Sequence, residues 1–331
     1  MLKSAVHLKR MAAKEGLAVD HHLISGQAPT VQTDELPVSV VMSMYNVAPY
    51  LEECIESILN QSFCDFELII VDDGSTDEGL SIARSYTDPR IRIIENEHNY
   101  ISSLNRGLQE AKGKYITRMD ADDRMAFERL SVQYSFMELH PEIDICGAWH
   151  RIFGEGYETI ARQFPQKHNE IVTTILKKDN PMSHPTAFMR KSFLDEYQIQ
   201  YDPEAIYAED LQFWIDCIKH GARFENLPRY LHDYRQSEIQ VIRTQSTEMF
   251  ANSDRIYCDF LEYVMDILAQ HDERICQVLE QMIVMVNEGT TSFTVLDTFV
   301  YQVYSEYLSC SSESNALESA PASPPLNPSL P

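Results

Sequence analysis

Between Val38 and Leu139, short β-branched apolar runs alternate with amphipathic segments at close intervals, and this alternation restricts the fold more than any other feature. Val38–Ser43 (VSVVMS) and Phe66–Asp73 (FELIIVDD) are the unbroken apolar runs expected of strands covered on both faces. Between them, Ala48–Ser62 sets Leu51, Cys54, Ile55, Ile58 and Leu59 at helical spacing, with Pro49 in the first turn. The turn GSTD precedes a helix expected over Glu78–Tyr86. A strand at Ile91–Asn96, a helix near Ser102–Ala111 stopped by Gly113, a strand at Lys114–Asp120 and a helix at Glu128–Leu139 follow. This order predicts an α/β fold, a doubly wound, mostly parallel sheet flanked by helices. Ligands of such sheets bind beyond the carboxyl ends of the strands.

Past His140 the pattern thins. Strands are expected in EIDICGAWHRIF and Ser183–Arg190, helices at His168–Lys178 and Ala208–Gly221, and short closing strands near Arg223–Glu225 and Arg229–Tyr234. From about Gln245 to Tyr307 the spacing is helical. The expected organisation is a flexible leader (1–36), a main domain (37–240), a C-terminal helical appendage (241–310) able to support an oligomer, and a Ser/Pro-rich disordered tail (311–331). Lys3, Lys9, Arg10 and Lys14 give the leader a basic stripe suited to peripheral contact with an anionic membrane, although a frayed leader is the plainer expectation.

Asp and Glu total 51 against 27 Lys and Arg, a net charge of −24. Nucleic acid is a poor partner for such a surface, because phosphate neutralisation needs clustered basic residues. A single nucleotide is not excluded, since one divalent cation reverses the local field. The seven cysteines are scattered without a CxxC pair, which speaks against a zinc site or disulfide framework and for a reducing, cytoplasmic setting. No apolar run is long enough to span a bilayer, and the start lacks the apolar core of a secretory signal.

The acidic motifs fall at predicted strand ends. In extended chain, residues i and i+2 point the same way, so Asp120 and Asp122 face one pocket while Ala121 turns away. Paired carboxylates suit Mg²⁺ or Mn²⁺, which takes its remaining ligands from substrate phosphates and water. Asp123 suits a cap for the next helix. Asp72 and Asp73 end the second strand, where a carboxylate can accept from a pyrimidine imide N–H or from ribose hydroxyls, whereas Asp77 suits a turn cap. Tyr45, after the first strand, offers an aromatic face. Glu209 and Asp210 open an amphipathic helix; acids there are favoured by the helix dipole, and a carboxylate so placed can also act as a general base.

VSVVMSMYNVAPYLEECIESILNQSFCDFELIIVDDGSTD, then NRGLQEAKGKYITRMDADDRMAFERL, then HPTAFMRKS and AEDLQFWIDCIKHG, in that order, strongly resemble the family 2 glycosyltransferases of GT-A fold, from about Pro37 to Arg235. The resemblance implies an inverting transferase that uses a nucleoside-diphosphate sugar, a UDP-sugar by preference, with Mn²⁺ or Mg²⁺. It implies that Tyr45 stacks on the base, Asp73 binds its edge, Asp120 touches the ribose and shares the metal, and Asp122 ligates the metal. Ser43, Arg118 and Glu209 join the nucleotide-sugar site, and Asp210 is the base for a glycan or lipid-linked acceptor in cell-surface polysaccharide or lipopolysaccharide assembly. Ser237 stands where relatives often carry a histidine, which speaks against a histidine metal ligand or phosphate contact there, and His232 is a disfavoured substitute. A Gln-x-x-Arg-Trp element of processive synthases is missing, so single addition is expected. Two rivals are a sugar nucleotidyltransferase, which needs a Gly-rich basic loop where this chain has SMYNVAPY, and a degenerate binding subunit, which the intact acidic motifs disfavour.

Overall fold

A computed structural model describes residues 36–154, 158–236 and 246–318 of the chain. The expected alternation is present as β1 (Val38–Met44), α1 (Ala48–Leu59), β2 (Phe66–Asp72), α2 (Gly79–Ser85), β3 (Ile91–Glu95), α3 (Tyr100–Glu110) and β4 (Tyr115–Asp120). Then come β5 (Arg124–Met125), α4 (Arg129–Leu139), β6 (Ile145–Phe153), β7 (Ile160–Arg162), α5 (His168–Leu176), β8 (Phe188–Arg190), α6 (Lys191–Tyr197), α7 (Glu209–Lys219) and β9 (Phe224–Arg235). Three helices close the described chain: α8 (Ser246–His271), α9 (Glu273–Asn287) and α10 (Phe293–Glu318).

The sheet runs β3-β2-β1-β4-β8-β6-β9-β5, with β7 paired to β6. Its first four strands are mutually parallel, and beyond β4 the sheet is mixed, since β8 is antiparallel to both β4 and β6 while β9 is parallel to β6. β1 lies between β2 and β4, so the chain winds outward to β3 and then crosses back to the other side of β1. That reversal opens a crevice at the carboxyl ends of β1 and β4, where Ser43 pairs in register with Asp120.

Both faces are covered, and the pleat sorts their residues by parity. Val41, Ile69, Val71 and Ile116 join one core with α3, α5 and α7, whereas Val40, Met42, Leu68, Ile70 and Met119 join the other with α1 and α4. Each fully buried aliphatic chain there contributes about 1.5–3 kcal/mol relative to exposure. Gly113 permits the turn into β4, because a Cβ would come within 2.4 Å of the Ser39 nitrogen. The C-terminal helices add Ile256, Phe260, Val264, Leu296 and Val300 to the first core rather than building one of their own.

Three expectations need correction. Ser183–Arg190 is not one strand: His184–Thr186 form a 3₁₀ turn closed by the Thr186 N–H on the Ser183 carbonyl, and only Phe188–Arg190 pair. Pro185, which has no N–H, suits that turn and not a central strand. The two short closing strands are one strand, β9, whose register against β6 slips after Leu227 and again after Tyr230. Pro228 sits at the first slip, where a ladder N–H is not required. Finally, α10 continues to Glu318, into the segment from residue 311 where a disordered tail was expected. Residues 1–35 of the leader, Ser237 and residues 319–331 lie outside the described residues. No helix among the described residues is long and apolar enough to cross a membrane.

Candidate active site

The loops after β1 and β2 are stapled to each other, which positions Tyr45. Asn46 takes a left-handed conformation (φ 52°), tolerable for this residue type, and its side-chain oxygen accepts the Thr76 N–H at 2.8 Å. Asp77 accepts the N–H groups of Ala48 (2.8 Å) and Gly79 (2.9 Å), so it caps both turns and has no free carboxylate edge for a ligand. Tyr45, held between these anchors, is 43% exposed. Asp73 is buried, and its Oδ1 accepts both the Asn99 N–H and the Ser103 hydroxyl at 2.7 Å. Its Oδ2 faces His98 at 3.0 Å.

At the end of β4, Ala121 turns into the core while Asp120 and Asp122 remain half-buried at the crevice. Arg118, buried two residues earlier, donates to Asp120 Oδ1 at 2.6 Å and to the Tyr100 hydroxyl at 3.1 Å. The Tyr100 hydroxyl also faces Glu209 and favours its ionised form. Glu209 is buried, with no hydrogen-bond partner for Oε2 among the described residues. Burial, then the neighbouring Asp210 charge, pushes the Glu209 carboxyl up to about 7. Burial likewise raises Asp210, against the pull of the Leu211 N–H and Arg118. Tyr207, left-handed at φ 65°, turns the chain into α7 immediately before these acids. Burial, then Asp123 and Asp120, pushes Asp122 up to about 7. Arg118 therefore bonds Asp120 and favours the ionised forms of Glu209 and Asp210, although Asp120 and Asp210 lie 90 residues apart in sequence.

Asp123 has a different task. Its Oδ1 accepts the Arg235 N–H at 2.6 Å and its Oδ2 meets His232 Nε2 at 2.7 Å. Burial, and then the Arg129 charge, holds His232 down at about 3, so the imidazole is neutral. Its Nδ1 faces a guanidinium nitrogen of Arg129 at 3.3 Å. A guanidinium only donates, so Nδ1 accepts and Nε2–H donates to Asp123. Arg129, fully buried, also donates to Thr117 (2.8 Å), Gln133 (2.9 Å) and the Arg118 carbonyl (3.0 Å). His232 is thus committed on both nitrogens and is not free to substitute as a metal ligand.

Among the described residues no group of three or more His, Cys, Asp or Glu side chains is gathered to hold a metal. Asp120 and Asp122 nevertheless fit a cation that draws most of its ligands from elsewhere. One Asp120 oxygen is engaged by Arg118, and Asp122 is raised by burial and then by like charge from Asp123 and Asp120, which a cation would offset. Sequence reasoning did not single out Tyr100, His98 or Arg129. Spacing marks Tyr100 only as the start of a helix, and no local pattern marks an arginine buried at the start of another.

Residues 39–198 match the family described as Glycosyl transferase family 2. The chain is 31% identical over 280 residues to an uncharacterized glycosyltransferase of Haemophilus influenzae, across 81% of this chain and 85% of that one. It is 32% identical over 206 residues to the O-antigen biosynthesis glycosyltransferase WbnJ of Escherichia coli, across 60% of this chain and 79% of WbnJ. Among solved structures, TarS 1–349 of S. aureus in complex with UDP-GlcNAc is similar with a TM-score of 0.54 at 19% identity, over 83% of this chain and 92% of that one. The mannosyltransferase PcManGT of Pyrobaculum calidifontis, in complex with GDP-Man and Mn²⁺, is similar with a TM-score of 0.51 at 15% identity, over 86% of this chain and 88% of that one.

Proposed function

The chain belongs to glycosyl transferase family 2 and is a glycosyltransferase of GT-A type fold, and on that premise we propose that it moves a sugar with inversion from a UDP-sugar to an acceptor hydroxyl. The observation that carries this reading is the buried guanidinium of Arg118, whose charge reaches Asp120 and Asp122 on one side and Glu209 and Asp210 on the other. One cation joins the acids that would face the diphosphate to those that would face the acceptor.

Tyr45 and Asp73 would bind the base by face and edge, with Ser43 and Asp120 alongside the ribose. Asp210 is the general base. One of its oxygens accepts the Leu211 N–H at 2.7 Å, which leaves the other to take the acceptor's hydroxyl proton. Its raised pKa strengthens it as a base at neutral pH. Inversion requires the hydroxyl to attack the anomeric carbon opposite the departing diphosphate, so the proton ends on Asp210 and the bonding electrons leave with the diphosphate. Holding hydroxyl and anomeric carbon in line is the protein's other contribution. Glu209, with one oxygen unpaired, is placed to accept from a sugar hydroxyl. Asp122, with Asp120, would hold Mn²⁺ or Mg²⁺, which when bound supplies positive charge against the leaving diphosphate. The Mn²⁺ and GDP-Man in PcManGT and the UDP-GlcNAc in TarS support this choice of ligands. The likeness to WbnJ supports a glycan or lipid-linked acceptor in cell-surface polysaccharide or lipopolysaccharide assembly.

The test is thermal melting with Mn²⁺, with UDP and with both. Together they raise the wild-type Tm beyond the sum of their separate effects, and Asp122→Ala removes that joint gain along with transfer. If wild type shows no joint gain, the metal–diphosphate site is wrong. Hydrolysis of a panel of nucleotide sugars identifies the donor.

A further inference from the structure

The slot assigned to the base already holds a ring. His98, on the turn between β3 and α3, stacks its imidazole on Tyr45 with centroids 4.1 Å apart and planes inclined by 23°. The same ring places Nδ1 3.0 Å from the Asp73 carbonyl oxygen and 3.0 Å from Asp73 Oδ2. Oδ2 is the carboxylate oxygen left over once Asn99 and Ser103 have engaged Oδ1. A pyrimidine base would make these same two kinds of contact: a π face against Tyr45 and a ring N–H toward the carboxylate of Asp73. Gly74, next in the chain, is left-handed (φ 76°), a conformation L side chains rarely adopt, and it lies directly beside the His98 backbone. The His98 side chain is 58% exposed, so solvent is open to it and it can swing away without disturbing the core.

We propose that His98 is an internal surrogate for the donor's base: it occupies the slot on Tyr45 and Asp73 until a nucleotide displaces it, and it thereby sets donor affinity. This rests on the donor-site reading above. A slot filled by its own side chain for most of the time lowers apparent affinity in proportion to the time it is open, so occupancy of about nine-tenths weakens binding about tenfold.

The experiment measures UDP binding in the presence of Mn²⁺ by calorimetry for wild type, His98→Ala, His98→Phe and Tyr45→Ala. His98→Ala is expected to tighten UDP binding about three- to tenfold, with the donor KM falling in step. His98→Phe keeps the ring face but loses the N–H, and falls between wild type and His98→Ala. Weaker or unchanged binding by His98→Ala overturns the proposal. Tyr45→Ala separates the two ways of failing. If it loses UDP affinity while His98→Ala gains none, the base slot stands and the surrogate role falls. If it binds UDP as wild type does, the base does not stack there and both readings fall.

Discussion

Asp122 and Asp123 are adjacent in sequence and opposite in fate. Asp122 belongs to the crevice, where the Arg118 guanidinium bonds Asp120 and its charge also reaches Asp122, Glu209 and Asp210, and burial and like charge push Asp122 and Glu209 up to about 7. Asp123 belongs to a buried knot with His232, Arg129, Gln133 and Thr117, in which each polar side chain has at least one partner. The knot fastens β9 to the end of β4 and holds the crevice in shape. The crevice is left electrostatically unfinished, as a site is when ligand charge is to complete it. Burial, then Asp120, raises Asp123 as well, so the two carboxylates differ in their hydrogen-bond partners and not in whether their charge is costly.

Three substitutions test this division. The largest effect is expected for Asp210→Asn, which should lower kcat about 10²–10⁴-fold while UDP affinity in calorimetry stays at the wild-type value. Near-normal turnover would remove Asp210 as the base. Next, Asp123→Ala should cost about 2–4 kcal/mol in urea unfolding, because it leaves the buried His232 Nε2–H and the Arg235 N–H without their acceptor. A loss below about 1 kcal/mol would put Asp123 with the crevice and not with the knot.

The smallest effect tests the crevice itself. The folded-state pKa of Asp122, about 7, lies above its ordinary value of 3.8. The folded state therefore binds that proton more tightly than the unfolded chain does. This favours folding fully only below about pH 4, and the advantage is lost as pH rises through about 7. Asp122→Asn, which cannot ionise, should therefore raise Tm by roughly 2–6 °C at pH 8 in metal-free buffer, and the gain should vanish by about pH 4. A pH-independent change would mean that neither burial nor like charge raises Asp122.

Much of the first half was legible in the chain because its information is local. Parallel strands covered on both faces read as unbroken apolar runs, as in Val38–Met44 and Phe66–Asp72, and the acids that face the crevice sit where those runs end. The second half was harder. Strand β9 is interrupted by two register slips and reads as two pieces, and Pro185 hides a 3₁₀ turn inside what looks like a strand. Arg129 has no local signature, because its burial is acceptable only given Thr117, Gln133 and His232 from elsewhere in the chain.

The sequence by itself determined the strand–helix order, the placement of carboxylates at strand ends, and through i,i+2 alternation the shared outlook of Asp120 and Asp122. Only the tertiary structure decided that the charge of Arg118, bonded to Asp120, would reach Glu209 and Asp210, that Asp123 and His232 would satisfy each other, and that His98 would lie on Tyr45. The reason is physical. Periodicity is set by backbone geometry within a few residues, whereas a charge's partner, and so its pKa and its role, is set by whatever distant side chain the packed sheet brings within a few ångströms.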